Sequence, residues 1–293
     1  MADSIRMLGM IAGNRRFPLV FAREARAAGI QRLVAVAFEG ETDPALGGLV
    51  DEMVWLKVGQ LQKLIDTFKK WGVREVVMVG QLAPKNLFAN LRLDFRMMGL
   101  LARLKRRNAE TIFGAVGEEL ARDGLVLAPH AQFLSRIVPG AGVLTQRKPS
   151  TEEREDMVFG FNIGKAVAAL DIGQTVVVKR GTVLAVEAFE GTDAALLRGG
   201  QLGQGDAVAV KLTKEGQDMR FDIPCIGCET IETLKKAGIK ALAIEAGRTL
   251  LLEKDELLRA ADEAGMAVEA LDGRGLEAAP EKNFWKKLKA LDK

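Results

Sequence analysis

The sequence predicts an α/β protein built from two domains. From 6 to 128, short apolar runs alternate with amphipathic helical stretches, which is the pattern of βαβ units around a parallel sheet. A stretch rich in proline and glycine at 138–150 interrupts the alternation, and a second set of strands and helices follows it. We therefore expect an N-terminal Rossmann-like domain at 1–138 and a C-terminal α/β domain at 139–280, with the substrate in the cleft between them.

The first domain is predicted from four β-branched or aliphatic runs and three helical ones. The strands are expected at 6–12, 32–38, 75–80 and 125–128, and the helices at 17–29, 60–72 and 109–124. In a parallel sheet the carboxyl ends of the strands share one edge, where ligands bind.

The second domain opens with a helix signal and a hairpin signal. Ser150 with Glu153 three residues later forms a capping-box pattern, which predicts a helix to about Leu170. Two apolar runs then meet at Arg180-Gly181, which predicts a hairpin. Both runs are apolar at nearly every position, so we expect a covered sheet. The later elements are a helix, a strand, a loop and two αβ passes, expected at 194–202, 207–212, 217–227 and from there to about 271.

Composition narrows the classes of function. The net charge of +3 arises from 42 basic and 39 acidic side chains, so binding to nucleic acid is not expected. The sequence contains neither a long apolar run nor a signal-like N-terminus, which predicts a cytoplasmic protein that touches membranes only peripherally. The sequence has one histidine, two cysteines and no tyrosine, so it lacks the side chains that several catalytic mechanisms require. The pair Cys225 and Cys228 lacks a second pair of ligands, and His130 is expected to pack near the domain junction.

The hairpin delivers polar side chains to a single point. Glu190, Gly191, Thr192 and Asp193 follow its second strand and precede the next helix. Thr192 or Asp193 is expected to cap that helix, whose N-terminus can bind an anion. The competing interpretation is that Thr192 and Asp193 only cap the helix while Glu190 faces solvent.

Two strand exits in the first domain carry further candidates. Gly13, Asn14 and Arg15 follow the first strand, where backbone N–H groups and positive charge can meet a diphosphate. Gln81 and Lys85 follow the third predicted strand, where they suit a polar ligand edge and a phosphate. An ordinary tight turn and a solvated lysine are the alternatives.

The loop at 218–224 places Arg220 between Asp218 and Asp222. This arrangement is also compatible with a surface ion pair that contributes little to stability.

Three separated motifs carry a family resemblance. The runs AGNRRFP at 12–18, LAVEAFEGTD at 184–193 and QDMRFDIP at 217–224 stand in order, with GQLAPKNLF at 80–88 between the first two. With these motifs the sequence resembles the LpxI family of UDP-2,3-diacylglucosamine pyrophosphatases. The resemblance implies cleavage of a UDP-linked diacylated sugar to UMP and lipid X during lipid A biosynthesis. It also implies attack at the phosphorus on the UMP side and a requirement for Mg²⁺.

The resemblance implies roles for the candidate residues. Asp222 is the leading catalytic carboxylate, with Glu190 and Asp193 beside it, and Asp222 and Asp193 are the expected Mg²⁺ ligands. The remaining candidates are expected to contact the substrate: Gly13, Asn14, Arg15, Gln81, Lys85, Lys148, Lys179, Gly191, Thr192 and Arg220.

The sequence leaves the partners of the protein open. The acyl chains need apolar walls, for which the helical stretches at 87–104 and 154–170 are candidates. The tail at 281–293 is basic and amphipathic, which suits a membrane surface or a docking contact, and a homodimer remains open. A non-catalytic nucleotide-sugar binding protein is the main alternative. The interpretation as a nicotinamide-dependent oxidoreductase has less support, because the glycine-rich motif typical of dinucleotide binding is incomplete.

Overall fold

The computed structural model describes residues 7–82, 93–105, 109–214, 220 and 223–273. The chain divides into two compact units, of which the first ends at Arg136 and the second begins at Ile137; Arg220 groups with the first unit. In the described part of the chain, no helix is both long and apolar enough to cross a bilayer. Both units are α/β, which confirms the predicted fold class.

The first unit is built on a five-stranded parallel sheet. Its strands are β1 (Met7–Ala12), β2 (Arg32–Phe38), β3 (Glu52–Leu56), β4 (Glu75–Val79) and β5 (Val126–Leu127). They lie in the order β3-β2-β1-β4-β5, and every neighbouring pair is parallel. The order reverses between β1 and β4, and such a switch point leaves a crevice at the carboxyl ends of the strands.

Four helices cover this sheet in the described residues: α1 (Phe17–Ala27), α2 (Leu61–Trp71), α3 (Phe95–Arg103) and α4 (Ala109–Arg122). Pro18 stands in the first turn of α1, where its missing N–H costs nothing. Gly72 ends α2 with a φ of 75°. Strand β3 was not predicted, because it is an edge strand whose side chains are mostly half-buried or exposed, so its sequence lacks a continuous apolar run.

The second unit contains a six-stranded mixed sheet and a separate parallel pair. Its strands are β6 (Gly142–Val143), β7 (Thr175–Lys179), β8 (Thr182–Val186), β9 (Val208–Lys211), β10 (Cys225–Ile226), β11 (Ala241–Glu245), β12 (Leu250–Leu251) and β13 (Ala267–Leu271). The large sheet has the order β6-β13-β11-β9-β7-β8, and β10 pairs with β12. Strands β9, β11 and β13 are parallel, whereas β6, β7 and β8 run antiparallel to their neighbours.

This topology gives the second sheet two distinct ends. We call the end where β9, β11 and β13 finish the carboxyl edge, and the opposite end the amino edge. Because β7 is antiparallel to β9, its first residue lies at the carboxyl edge; β8 is antiparallel to β7 and therefore finishes there. The hairpin turn between β7 and β8 lies at the amino edge.

The helices of the second unit are α5 (Thr151–Ala169), α6 (Thr192–Gly203), α7 (Cys228–Lys236) and α8 (Lys254–Glu263). The capping box of Ser150 and Glu153 is confirmed. Glycine lets α5 lie close to the sheet, since a Cβ at Gly160 would stand 2.7 Å from Val210 Cγ2. The two final αβ passes are also confirmed, as α7–β11 and α8–β13.

The predicted hairpin is confirmed, with a turn that a buried carboxylate holds. Asp156 accepts hydrogen bonds of 2.7 Å from the N–H groups of both Arg180 and Gly181. Strand β7 is buried as expected. The expectation that both hairpin strands are covered is wrong for β8. This strand forms the edge of the sheet, and four of its five residues are not fully buried.

Candidate functional site

The exits of β1 and β4 form one structure. Asn14 N–H donates to the Gln81 carbonyl at 2.7 Å, and Gly13 N–H donates to the Val79 carbonyl at 2.7 Å. A Cβ at Gly13 would lie 2.3 Å from that Gln81 oxygen, and one at Gly80 would lie 2.7 Å from the Asn14 oxygen. The glycines are therefore required for the two loops to meet, and Gly13, Asn14 and Gln81 are brought together as expected.

Two residues after β2 complete this cluster, and sequence reasoning missed them. Asn14 Nδ2 donates to Glu41 Oε2 at 2.6 Å. The buried Thr42 hydroxyl donates to the Ala12 carbonyl at 2.6 Å and accepts from Phe38 N–H at 2.9 Å, which ties the exit of β2 to that of β1. The acidic stretch directly after β2 was the available signal, because it shares the edge of the sheet with β1.

The side-chain oxygen of Asn14 is available to accept a hydrogen bond. Its Oδ1 is buried and has no hydrogen-bond partner among the described residues. A buried unsatisfied polar atom is costly, so it indicates a ligand or water at this position. The neighbouring Arg15 is exposed and has a φ of 64°, a conformation that costs a residue with a side chain about 1 kcal/mol. Lys85 lies outside the described residues.

An apolar pocket lies beside these loops, within the first unit. Its walls come from β1, β4 and the helices α2, α3 and α4, and the backbone of Gly13 and Gly80 forms one side. Gln60 is its one lining side chain with a strongly polar group in the described structure. The apolar lining comprises Ile11, Phe38, Val58, Leu61, Leu64, Met78, Val79, Leu82, Met97, Ile112, Phe113 and Val116.

The candidates after β8 lie at the carboxyl edge of the second unit. Gly191 precedes α6 with a φ of 83°, and α6 carries no side-chain cap bond in the described structure. The expectation that Thr192 or Asp193 caps α6 is therefore wrong: Thr192 Oγ1 instead donates to Glu187 Oε1 at 2.9 Å. Asp193 is exposed and accepts a long hydrogen bond, 3.4 Å, from the Thr233 hydroxyl.

Glu190 already has a cationic partner. Arg198 donates to its Oε1 at 2.6 Å and to the Val186 carbonyl at 2.9 Å. The hydrogen bond from Arg198, followed by backbone N–H groups, lowers the pKa of this exposed carboxyl. Glu190 is thus held as a carboxylate that clamps the loop before α6.

A second ion pair at the carboxyl edge was not predicted. Lys165 Nζ donates to both carboxylate oxygens of Glu245, at 2.7 and 2.8 Å, and Thr213 N–H donates to the same carboxylate at 3.0 Å. Burial raises the pKa of Glu245, but the bonds from Lys165 and Thr213 outweigh it, so the pKa lies below its ordinary value. Lys165 and Glu245 are 80 residues apart, and the only local signal was a lysine directly after the close-packed Gly164.

Two predicted phosphate ligands lie elsewhere. Lys179 ends β7 at the amino edge, where its Nζ donates to the Gly203 and Gly205 carbonyls at 2.7 and 2.8 Å. Lys148 precedes α5, whose N-terminus lies at the same edge, and is exposed. The structure does not bring these lysines together with Glu190–Asp193, since the direction of β7 reverses the expected geometry. Arg220 is exposed, and Asp222 lies outside the described residues.

One group of side chains among the described residues has the spacing of metal ligands. Cys228, Glu253 and Glu256, at the starts of α7 and α8, have ligand atoms within 4.8 Å of one another. This group of three does not include Asp193 or Glu190. Asp193 is an exposed carboxylate outside that group.

His130 is packed in the interior of the first unit, as expected from the sequence. It is fully buried, its Nε2 lies 2.5 Å from the Met78 carbonyl, and its ring packs edge-on against Phe21 at 5.7 Å.

Comparison with known families covers both units. The sequence model of the LpxI N-terminal domain matches residues 7–137, and that of the LpxI C-terminal domain matches residues 140–269. The chain belongs to the LpxI family. A curated LpxI relative from Caulobacter vibrioides, named UDP-2,3-diacylglucosamine pyrophosphatase LpxI, is 29% identical over 92% of this chain and 98% of its own length.

Solved structures add little to the LpxI assignment. The biotin carboxylase subunit of pyruvate carboxylase is 13% identical with a TM-score of 0.28, over 59% of this chain and 34% of that one. Biotin carboxylase from Campylobacter jejuni is 11% identical with a TM-score of 0.27, over 68% and 42%. The chain spans about a third to two fifths of these proteins, and scores this low support no argument.

Proposed function

We propose that this protein hydrolyses the pyrophosphate of UDP-2,3-diacylglucosamine to UMP and 2,3-diacylglucosamine 1-phosphate, lipid X, in lipid A biosynthesis. The observation that carries the proposal is membership of the LpxI family across both halves of the chain, 7–137 and 140–269. The name of the Caulobacter relative, which aligns over 92% of this chain, supports the same substrate.

The pocket of the first unit suits an acyl chain of this substrate. Its walls are almost wholly apolar, which favours a hydrocarbon over a nucleobase, since a base needs hydrogen-bond partners at its edge. Its lining includes Gly13 and Gly80, which directly precede Asn14 and Gln81 in the chain. An amphipathic ligand, with a chain in the pocket and polar groups at the loops, satisfies both surfaces.

The polar loops suit the head of the substrate. Asn14 Oδ1 is a buried acceptor without a partner among the described residues, so it can accept from a sugar or ribose hydroxyl. In the second unit, the N–H groups at the start of α6 can donate to phosphate oxygens, while Glu190 keeps the preceding loop in place through Arg198.

Asp193 and Asp222 are the proposed Mg²⁺ ligands, and Asp222 is the carboxylate proposed to orient the attacking water. When bound, Mg²⁺ supplies positive charge that orients and stabilises the phosphoryl oxygens. Hydrolysis of a pyrophosphate depends mainly on such positioning and charge stabilisation. Asp193 is exposed enough to take this role.

The test is release of UMP from UDP-2,3-diacylglucosamine in the presence of Mg²⁺. The native protein should release UMP, and Asp222→Ala should lose at least about 100-fold in kcat, a typical loss when a proton-accepting group is removed. Glu263→Ala, which removes an exposed carboxylate at the amino-edge end of α8, is the control that should turn over normally. Substrate binding without any UMP would instead support a nucleotide-sugar binding protein.

The position of attack can be read from isotope incorporation. Hydrolysis in ¹⁸O-water should place the label in UMP if water attacks the UMP-side phosphorus, and mass spectrometry distinguishes the two products. Label found in lipid X would contradict this part of the proposal.

A further inference from the structure

Helix α3 of the first unit exposes an apolar face. Five of its nine residues are exposed, and four of these carry an apolar side chain or none: Phe95, Met98, Gly99 and Ala102. Phe95, Met98 and Ala102 are spaced by three and four residues, so they share one face of the helix. Phe95 is 90% exposed and Met98 is 42% exposed. A surface helix ordinarily turns polar side chains to solvent, so this face indicates a contact.

The opposite face of α3 packs on the first unit. Leu100 is 2% exposed and belongs to the core, and Met97 lines the apolar pocket. The helix is therefore apolar on two sides, of which one forms part of the pocket wall and the other meets solvent.

A cluster of charged side chains borders the exposed face. Its members are Lys69, Arg96, Arg103, Arg122, Glu119 and Asp123. Four cations share two carboxylates here, so the cluster carries a net charge of +2. The Glu119 side chain is only 6% exposed, whereas those of Arg103 and Arg122 are 59% and 56% exposed. Arg103 directly follows Ala102, which places this positive charge beside the apolar face.

An apolar face with a basic border suits the surface of an anionic bilayer. Phenylalanine and methionine can enter the boundary between headgroups and acyl chains, while arginine binds phosphate with two N–H groups. Lys105, exposed two residues beyond α3, adds a further cation. Asp94 precedes the helix at its other end, where its oxygens accept from Met97 N–H and Gln62 N–H at 2.9 and 2.6 Å.

A second copy of the chain suits this face less well. A two-fold contact places the same surface of both copies together, so two clusters of net positive charge would meet. A stable protein interface also buries about 800 Å² on each partner, from about 20 to 30 residues. The exposed face of one nine-residue helix is well below that size.

We infer that the exposed face of α3 docks the first unit on an anionic lipid bilayer, with Phe95 and Met98 in the headgroup boundary and the arginines on lipid phosphates. The inference rests on the proposed function for its purpose, since a diacylated substrate resides in a membrane and α3 also walls the pocket proposed for its chain. Contact with the bilayer itself requires no turnover.

Co-sedimentation of the full chain with vesicles tests the docking. Vesicles of equal parts phosphatidylethanolamine and phosphatidylglycerol supply the anionic surface, and vesicles of phosphatidylcholine alone carry no net charge. The native protein should bind the anionic vesicles at least about tenfold more tightly than the neutral ones, because each cation near an anionic surface contributes. Raising the salt concentration should weaken this binding by screening the charges.

A double variant isolates the apolar face. Phe95→Ala with Met98→Ala removes apolar contact without changing charge, and it should bind the anionic vesicles at least about tenfold more weakly. Alanine is the best helix former and both side chains are exposed, so the urea midpoint should stay near native. Leu202→Ala is the matched control: Leu202 is 59% exposed in α6 of the second unit, and this variant should bind like the native protein.

Three results would overturn the inference. The first is absence of binding by the native protein, or equal binding to both kinds of vesicle. The second is native-like binding by the double variant, which would assign the contact to another segment such as the tail at 281–293, or an equal loss in Leu202→Ala. The third is a native dimer, seen by light scattering, that the double variant dissociates without any vesicle binding. If the protein binds vesicles through α3 but releases no UMP, only the proposed function fails.

Discussion

Replacing Gly13 by alanine should separate the two loops of the first unit. The added Cβ would lie 2.3 Å from the Gln81 carbonyl oxygen, about 1 Å short of the 3.4 Å at which ordinary contact begins. The obstacle is backbone on both sides, so no side-chain rotation relieves it. The loops must move apart, which weakens the 2.7 Å bond from Asn14 N–H to Gln81.

The magnitude follows from the two effects together. Overpacking of a well-packed position costs about 1 to 3 kcal/mol, and loss of one backbone hydrogen bond costs about 0.5 to 1.5 kcal/mol. We therefore expect Gly13→Ala to lower the free energy of unfolding by about 2 to 4 kcal/mol. KM for the UDP-linked substrate should rise as well, because Asn14 and Gln81 no longer share one surface.

Urea unfolding followed by tryptophan fluorescence measures this change, since Trp55 and Trp71 belong to the same unit as Gly13. Gly99→Ala is the matched control: Gly99 is inside α3, its added Cβ meets nothing within 4 Å, and the change should stabilise by about 0.5 to 1 kcal/mol. The same sign for both variants, or a Gly13→Ala midpoint equal to native, would refute the packing argument.

Three further outcomes are expected. Arg15→Gly should raise the thermal midpoint, by up to about 1 kcal/mol in stability, because glycine accepts the φ of 64°; a lower midpoint contradicts this. Asp156→Ala should cost about 2 to 3 kcal/mol in urea by removing the acceptor for the N–H groups at 180–181, with kcat unchanged because that turn lies at the amino edge; a large loss of kcat would refute this location. Glu119 and Glu245 have pKa values below their ordinary 4.5, since hydrogen bonds and nearby cations outweigh burial. Their contribution to stability is therefore complete above about pH 4.5 and is lost as the pH falls through the lowered values; urea midpoints that stay flat below pH 4.5 would contradict it.

The regular strands and helices could be predicted because their apolar periodicity is local. β1, β2 and the helix that follows Ser150 illustrate this, since a continuous apolar run or a capping box marks each of them. The edge strand β3 and the two-residue strands β6, β10 and β12 could not, because pairing with a neighbour defines them rather than any pattern of their own. Family motifs, rather than periodicity, supplied the chemistry.

The candidate site was predictable only where strand direction was known. In the first unit all strands are parallel, so the rule that strand exits meet placed Asn14 beside Gln81 correctly. In the second unit β7 runs against β9, and this reversal sends Lys179 to the amino edge. Glu41 and Lys165 were missed because their partners lie 27 and 80 residues away, and no local spacing encodes such a contact.

Charge pairing at the carboxyl edge bears on how a pyrophosphate can be held there. Arg198 is paired with Glu190, Lys165 with Glu245 and Lys214 with Asp171, so these three cations are already neutralised by neighbouring carboxylates. A substrate phosphate that displaced Glu190 or Glu245 from its cation would leave a carboxylate beside the bound anion, which is unfavourable. Positive charge must therefore come from groups outside these pairs, and backbone N–H groups at the start of α6 supply only a partial charge. This balance is a physical reason, separate from the family assignment, to expect that binding of the UDP-linked substrate strengthens with Mg²⁺, and titration with and without the ion measures it. Equal affinity under both conditions would mean that cations of the polypeptide suffice.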